Sequence, residues 1–292
     1  MVKMIAVVSG KGGTGKSTVT ASLAVELSKK RKILVADCDV DAPNLALAFG
    51  IKSLSNVREI STSEKAVVDP KICRGCGKCQ EVCAFSAIKV NGKAEVNRFL
   101  CEGCGACMLA CRPGAIKMEL VKNARIGTAE TPYGFIMVGG ELKMGESGSG
   151  KVVTEIRRIA ENLSEKKKAE IILLDSAAGI GCPVIASLTG CDFALAVTEP
   201  TPAALSDLER LLELLKKLKI PGGLLINKYD LNLKLTEKIE KKARSCDLKL
   251  FGRIPYHPDF LKALLNLKPA VVWNPKLRKC FAGIANFLAS SI

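Results

Sequence analysis

Eight of the thirteen cysteines stand close together in two runs of identical spacing. Both runs read C-x2-C-x2-C-x3-C; their members are Cys73, Cys76, Cys79 and Cys83, then Cys101, Cys104, Cys107 and Cys111. Thiolates at such spacing are ligands for soft metals and for iron–sulfur centres. The repeated spacing therefore predicts metal–thiolate chemistry rather than a disulfide framework. The other five cysteines stand singly and are expected to be core thiols.

The spacing of each run is that of bacterial two-cluster ferredoxins, in which the fourth cysteine ligates the other cluster. On this pattern two [4Fe-4S] centres are expected, one on Cys73, Cys76, Cys79 and Cys111, the second on Cys101, Cys104, Cys107 and Cys83. Zinc is the alternative, because CxxC pairs also bind zinc. A tetrahedral zinc site needs only four thiolates, so a doubled run of four favours iron–sulfur clusters.

A glycine-rich segment near the start of the chain could bind phosphate. Residues 10–18 read GKGGTGKST and contain the pattern G-x-x-x-x-G-K-[ST]. In this motif backbone N–H groups surround the phosphates, the lysine contacts the β and γ phosphates, and the following hydroxyl ligates Mg²⁺. The motif predicts a Mg-ATP site with Ser17 on Mg²⁺, built from Gly10, Lys11, Gly12, Gly13, Thr14, Gly15, Lys16, Ser17 and Thr18.

The elements that must position this loop are short, continuous apolar runs at 3–9, 32–37, 134–138, 171–175, 193–198 and 222–226. Such runs are typical of parallel strands covered on both faces. The segments between them, such as 202–218, carry leucines at helical spacing. We therefore predict an α/β fold with a doubly wound, mostly parallel sheet over residues 1–60 and 120–292, whose ligand lies at the carboxyl ends of the strands.

Residues 66–118 depart from this rhythm and repeat with a period of 28, cysteine on cysteine. Two copies of one short unit predict a small pseudo-symmetric domain. We expect an inserted small α+β domain of the bacterial-ferredoxin type over residues 61–119.

Lys11 completes the loop K-G-G-T-G-K-S-T, and here the chain resembles the deviant-Walker ATPases of the MinD, ParA, Mrp and nitrogenase iron-protein group, within the SIMIBI class of P-loop NTPases. The resemblance implies an ATP-dependent homodimer in which Lys11 reaches the partner's phosphates. It also implies that Lys11, Lys16 and Asp39 are catalytic. A solvated loop lysine is the alternative for Lys11.

The resemblance extends to ADCDVDAPN, where it implies that Asp39 orients the attacking water and that Asp37 lies near the metal. Turn and capping roles are the alternative for Asp37, Asp39 and Asp41. Farther along the chain it implies a Walker B acid at Asp175 and a γ-phosphate contact from the backbone of Gly179.

Asn227 resembles the family's adenine-contacting asparagine. Residues 227–230, NKYD, also match the N-K-x-D of GTPases, which keeps GTP as an alternative ligand.

The formal charge of +15 does not by itself indicate nucleic-acid binding, because the basic residues are spread along helices and only three Tyr and one Trp could stack on bases. An acidic protein partner or a solvated surface fits better. No apolar run is long enough to span a bilayer. The apolar face formed by Leu277, Phe281, Ile284 and Leu288 is expected to pack on the sheet rather than on a membrane. We expect a cytoplasmic protein.

Three hypotheses for the function follow from the combination. In the first, an ATPase uses its nucleotide-driven dimer cycle to gate low-potential electron transfer through the clusters to a redox partner. In the second, the protein is a carrier or maturation factor for a client metalloprotein. In the third, it positions other components as MinD does.

Overall fold

The computed structural model describes residues 2–246 and 248–290, which fall into two compact units. The large unit consists of Met1–Val57, Ile126–Glu141 and Ser149–Ile292, and the small unit of Arg58–Arg125 and Leu142–Gly148. The sequence led us to expect an insertion over residues 61–119. The segment Leu142–Gly148 carries no cysteine and no repeat, and its place in the small unit could not be read from the sequence.

The strands of the described chain are, in order, β1 (Lys3–Ser9), β2 (Ile33–Asp37), β3 (Ser55–Ile60), β4 (Ser63–Val68), β5 (Ile88–Asn91), β6 (Lys93–Val96), β7 (Ile116–Val121), β8 (Ala124–Glu130), β9 (Ile136–Leu142), β10 (Ile171–Ala178), β11 (Phe193–Thr198), β12 (Gly222–Asn227) and β13 (Lys249–Ile254).

The helices of the same residues are α1 (Lys16–Ser28), α2 (Leu45–Ala48), α3 (Lys78–Glu81), α4 (Ala106–Ala110), α5 (Ser149–Lys167), α6 (Cys182–Leu188), α7 (Pro202–Leu218), α8 (Leu233–Ser245), α9 (Pro258–Leu265), α10 (Ala270–Trp273) and α11 (Lys279–Ser290). Short 3-10 turns cover Tyr229–Leu231 and Pro275–Arg278.

The main sheet has the strand order β13-β12-β11-β1-β10-β2-β9-β8-β3. The pairings from β13 through β9 are parallel, which confirms the predicted α/β class with a large, mostly parallel sheet. The central strands β1, β2, β10 and β11 are buried along almost their whole length because helices cover both faces. The carboxyl ends of β1, β2 and β10 therefore meet at one edge of the sheet.

Several details of the sheet differ from the predicted runs. Strands β3 and β8 were not predicted, and β9 lies later than the run at 134–138. Strand β10 does not end at Asp175 but continues to Ala178, because its pairing with β1 resumes at Ser9 and Ala178 after a register shift. Strand β13 was not predicted, because its sequence KLFGRI mixes charged and apolar residues and pairs on one side only, at the edge of the sheet.

The small unit contains two copies of one structural motif. Strands β4 and β7 form one antiparallel pair and β5 and β6 another. Helix α4 starts 28 residues after helix α3, in step with the sequence repeat. The unit's buried core contains four of its cysteines, several alanines, Ile88 and Ile116, and no large aromatic side chain. Its packing thus depends on small residues around the cysteines.

Helix α11 packs into the core of the large unit. Phe281, Ile284 and Leu288 are each at most 1% exposed and belong to the same buried cluster as residues of α1. The apolar face predicted at the end of the chain is therefore a core face. None of the helices in the described residues has the length and apolar character that a bilayer crossing requires.

We predict that Phe281→Ala lowers the free energy of unfolding by about 3–5 kcal/mol, because it leaves a cavity in this core. The exposed Asn286→Ala on the same helix should change it by no more than about 0.5 kcal/mol. Chemical denaturation followed by circular dichroism compares the two variants. Equal stability of both variants would show that α11 does not pack as described.

Candidate nucleotide site and cysteine-lined cavities

The glycine-rich loop joins β1 to α1 in a conformation that only glycine fits. Gly15 caps α1 with φ 90°, and a Cβ atom there would lie 2.3 Å from the side-chain nitrogen of Asn227. A Cβ atom at Gly10 would lie 2.4 Å from the carbonyl oxygen of Asp207. At Gly12 and Gly13, in contrast, an added Cβ meets nothing within 4 Å, so this part of the loop backbone is open to a ligand.

Lys16 and Asp175 form a buried ion pair directly behind the loop. The Nζ of Lys16 lies 2.9 Å from Oδ1 of Asp175, and the two side chains are 6% and 1% exposed. The hydroxyl of Thr20, one helical turn after Lys16, donates to the same Oδ1 at 2.8 Å. Burial alone would lower the pKa of Lys16, but the neighbouring Asp175 outweighs it and the pKa is raised. Lys16 is therefore charged and available to a phosphate.

The other carboxylate oxygen of Asp175, Oδ2, is buried without a hydrogen-bond partner within the described residues. Such an atom indicates a position built for a ligand. The hydroxyl of Ser17 accepts from the Nζ of Lys16 at 3.5 Å, the same Nζ that binds Oδ1 of Asp175. Ammonium, hydroxyl and spare carboxylate oxygen form a set that fits a phosphate with its Mg²⁺.

Asp37 organises the loop after β2. Its Oδ1 accepts the backbone N–H of Asp39 at 3.1 Å and its Oδ2 accepts that of Leu45 at 3.1 Å. Burial and the nearby charge of Asp175 raise the pKa of Asp37 to about 7. Asp37 thus has the turn role that the sequence left open, while its position next to Asp175 also places it close to the metal position implied by the resemblance.

Asp39 is partly exposed, and burial raises its pKa although the positive Lys16 opposes the shift. Asp41 is exposed and farther along the loop. The water-orienting role of Asp39 stays a prediction.

Lys11 is 38% exposed and lies 3.5 Å from Oε1 of Glu199. The other oxygen of Glu199 binds Lys228 at 2.9 Å, and Lys228 also donates to the carbonyl of Gly13 at 3.2 Å. Glu199 thus bridges Lys11 of the loop and Lys228. No motif marks Glu199 in the sequence, although an acid directly after a buried strand could have suggested it.

Asn227 supports the loop from behind. Its side-chain nitrogen donates to the carbonyl of Thr14 at 2.8 Å. Asp230, the residue that would read guanine in a GTPase, accepts the backbone N–H of Tyr256 at 2.7 Å. The backbone N–H of Gly179 donates to the carbonyl of Ser9 at 2.9 Å, so it contacts a γ phosphate only after this bond opens. The adenine contact of Asn227 and the phosphate contact of Gly179 stay predictions.

The small unit contains two cavities, each lined by four cysteines. One has a volume of about 20 Å³ and is lined by Cys73, Cys76, Cys79 and Cys111; the other also has about 20 Å³ and is lined by Cys83, Cys101, Cys104 and Cys107. The structure brings together the same sets of four that the sequence pattern grouped. Within residues 2–246 and 248–290, no three His, Cys, Asp or Glu side chains meet at the geometry of a single metal ion.

Backbone N–H groups point at the sulfur atoms in a symmetric manner. Ala94 donates to Cys73 at 3.4 Å and Ala66 donates to Cys101 at 3.5 Å. The fourth cysteine of each run accepts from the residue four positions later: Ala87 donates to Cys83 and Ala115 to Cys111, both at 3.3 Å. Backbone N–H bonds lower the pKa of Cys73. Burial instead raises the pKa of Cys79 and of Cys107. The N–H donors therefore favour negative charge on the sulfurs that accept them.

Glycines in the cysteine loops allow these loops to lie close to neighbouring backbone carbonyl groups. A Cβ atom at Gly75 would lie 2.1 Å from the carbonyl oxygen of Gly92, and one at Gly103 would lie 2.0 Å from that of Glu64. Both glycines have positive φ. The two contacts are equivalent under the 28-residue repeat.

We predict that Lys16→Ala weakens Mg-nucleotide binding by about 10- to 100-fold, since one charge-assisted contact is lost. It should also cost about 3–5 kcal/mol of stability, because it leaves the buried Asp175 without a counter-charge. Isothermal titration calorimetry and thermal denaturation measure the two effects. The double variant Lys16→Met, Asp175→Asn should recover stability but not binding; recovered binding would contradict the assignment.

We predict that Gly75→Ala destabilises the small unit by at least about 1 kcal/mol more than Gly77→Ala. Both positions have positive φ, so both variants carry the same backbone strain, but a Cβ at Gly77 meets nothing within 4 Å. Limited proteolysis of the small unit under mild denaturant compares the two. Equal protease resistance would argue against the close approach at Gly75.

Comparisons with known proteins agree with this geometry. The chain is 38% identical over 269 residues to an uncharacterized protein of Methanocaldococcus jannaschii, which covers 91% of this chain and 89% of that protein. A shorter match, 53% identical over 49 residues, links 16% of this chain to 17% of an iron-sulfur cluster carrier protein of Clostridium perfringens.

Among solved structures, the septum site-determining protein MinD of Pyrococcus horikoshii, complexed with Mg-ADP, shares the fold with a TM-score of 0.60. The match covers 100% of this chain and 97% of that one at 22% identity. The family model for the CobQ/CobB/MinD/ParA nucleotide binding domain matches residues 5–270. The chain therefore belongs to the CobQ/CobB/MinD/ParA family of nucleotide-binding P-loop proteins.

Proposed function

We propose that this protein is an ATP-hydrolysing iron–sulfur protein in which a nucleotide-driven homodimer cycle gates low-potential electron transfer through two [4Fe-4S] clusters to a redox partner. The observation that carries the proposal is the pair of four-cysteine cavities in a chain of the MinD/ParA type. Because a redox centre and a nucleotide site lie in one chain, ATP hydrolysis can control electron transfer.

The residues of the small unit fit such clusters. Four thiolates line each cavity, and N–H donors on two sulfurs of each set favour an anionic content. A unit of about 75 residues with a core of alanines and cysteines buries little apolar surface. Small domains of this kind are often stabilised by a bound metal centre or by disulfides. When bound, [4Fe-4S] clusters supply one-electron chemistry at low potential. We regard this unit as an inserted ferredoxin-type domain.

The large unit supplies the nucleotide chemistry. Lys16 binds the β and γ phosphates, Ser17 and Asp175 hold Mg²⁺, and Asp39 orients the attacking water. The free oxygen of Asp175 and the open backbone at Gly12 support these roles. Asn227 holds the loop and borders the adenine. Since Asp230 already accepts a backbone N–H, ATP is favoured over GTP.

Lys11 links hydrolysis to dimer formation. It is partly exposed and its ammonium is paired with Glu199, a contact that can open so that Lys11 turns toward the phosphates of a second copy. In the dimer it would add positive charge where the transition state develops negative charge. The cycle then alternates between an ATP-bound closed dimer and an ADP-bound open one.

A carrier or maturation role for a client metalloprotein is the second candidate, favoured by the short match to an iron-sulfur cluster carrier protein. Four cysteines on each cavity argue for permanent clusters, because no ligand position is left for transfer. A MinD-like positioning role is weaker, since the apolar face of α11 is buried. Nucleic-acid and membrane partners are not favoured. The many free thiols suit a reducing cytoplasm.

Anaerobic purification, iron and sulfide analysis, and stopped-flow reoxidation of the dithionite-reduced protein test the proposal. We expect about eight iron and eight sulfide atoms per chain and a reoxidation rate that differs between MgATP and MgADP. Release of iron to an apo-acceptor during turnover would support the carrier role instead. Zinc in place of iron would contradict both.

We predict that Asp39→Asn lowers the ATP turnover number by about 100-fold or more, because the attacking water loses its orienting group. Mg-ATP binding should persist, so the variant should accumulate as a dimer in size-exclusion chromatography with MgATP. Asp41→Asn, at an exposed position two residues later, serves as the control and should leave turnover unchanged. Unchanged turnover in Asp39→Asn would exclude the assigned role.

A further inference from the structure

The two cysteine cavities are closely matched in the burial of their cysteines and in the N–H donors to sulfur. Their linings differ in charge and at two apolar positions, where the second has Phe85 and Met118 and the first has Pro113 and Val90. Cys73 and Cys101 are 8% and 9% exposed, and Cys79 and Cys107 are 8% and 7% exposed. Cys76 and Cys104 are exposed, and Cys83 and Cys111 are intermediate. The N–H donors to sulfur are equivalent, with distances that agree within 0.1 Å. Burial and hydrogen bonding therefore cannot distinguish the two sites.

The charges next to the cysteines do distinguish them. The first loop reads C-R-G-C-G-K-C and the second C-E-G-C-G-A-C, so Arg74 and Lys78 in one correspond to Glu102 and Ala106 in the other. All four residues line their respective cavities. They are the only differences between the loops, whose glycines keep the same backbone conformation.

The residues after the fourth cysteines add to the same asymmetry. Cys111 lines the first cavity and is followed by the exposed Arg112, whereas Cys83 lines the second and is followed by Ala84. The repeat also places Lys93 and Lys65 at equivalent positions. Lys93 donates to the backbone carbonyl of Cys73, but Lys65 is paired with Glu146 at 3.0 Å. Each difference leaves the first cavity more positive.

From this asymmetry we infer that the two centres differ in reduction potential and that electrons pass from the second centre to the first. The inference rests on the proposed function, because it requires a cluster in each cavity. Reduction adds a negative charge, which Arg74, Lys78 and Arg112 stabilise and Glu102 opposes. The first centre, on Cys73, Cys76, Cys79 and Cys111, therefore has the higher potential.

In this step one electron leaves the reduced second centre and enters the oxidised first centre. No bond forms or breaks and no proton moves. The electron comes from a low-potential one-electron donor that reaches the second centre, and it leaves to the redox partner from the first. The basic residues around the first cavity thereby mark the side that an acidic partner would approach.

The test is an anaerobic redox titration of the nucleotide-free protein, followed by EPR and visible absorbance. The wild-type protein should give two separate one-electron waves. The triple variant Arg74→Glu, Lys78→Ala, Arg112→Ala copies the second loop into the first and should move the higher wave more than the lower one, down toward it. The reciprocal variant Glu102→Arg, Ala106→Lys, Ala84→Arg should move the lower wave more than the higher one, up toward it.

Lys89→Glu is the matched control, because Lys89 is exposed, alternates with the buried Ile88 on β5 and lines neither cavity. It should leave the separation of the waves nearly unchanged. A single unresolved wave in the wild-type protein, or a larger movement of the opposite wave in either triple variant, would overturn the inference with the clusters still present. Absence of iron in the purified protein would instead overturn the proposed function, and the inference with it.

Discussion

The buried pair of Lys16 and Asp175 determines how the nucleotide half of the molecule is built. Two charges that are almost fully buried need each other, because an isolated buried charge costs several kcal/mol. The pair lies where β1 and β10 run side by side, and Thr20 donates to the same carboxylate oxygen. The second oxygen of Asp175 stays without a partner among the described residues.

This arrangement is poised to change when a ligand binds. A phosphate gives Lys16 a second anionic partner, and Mg²⁺ gives Asp175 a cationic one, so the pair can separate without leaving either charge alone. Two further contacts, from the N–H of Gly179 to the carbonyl of Ser9 and from Lys11 to Glu199, involve residues of the same candidate site. They are the bonds that a nucleotide cycle would make and break.

Features that depend on residues close together in the sequence were predicted, whereas features that depend on contacts between distant segments were not. The phosphate loop and the grouping of cysteines were predictable, because their function fixes residue type and spacing over a few positions. Glu199 and Lys228 were not, because their contacts with Lys11 and Gly13 join segments far apart in the chain. The end of β10 was misjudged at Asp175, since pairing across a register shift with β1 leaves no local signal.

The internal repeat of the small unit allows its two halves to be compared position by position. Its two halves share backbone conformation, sulfur exposure and N–H donors, so each half is a reference for the other. The difference between Arg74 and Glu102 is visible in the sequence. Its effect on the charge of the two cavities became clear only from the structure, where both residues line the cavities.

The central claim is that nucleotide controls the redox behaviour of the cysteine-bound centres. The most direct measurement is the midpoint potential of those centres, titrated by EPR in the presence of MgATP and again in the presence of MgADP. Our account predicts that the midpoint potentials differ between the two nucleotides, because the closed and open dimers give the centres different surroundings. Identical midpoint potentials in both nucleotides, with intact clusters and active hydrolysis, would contradict it.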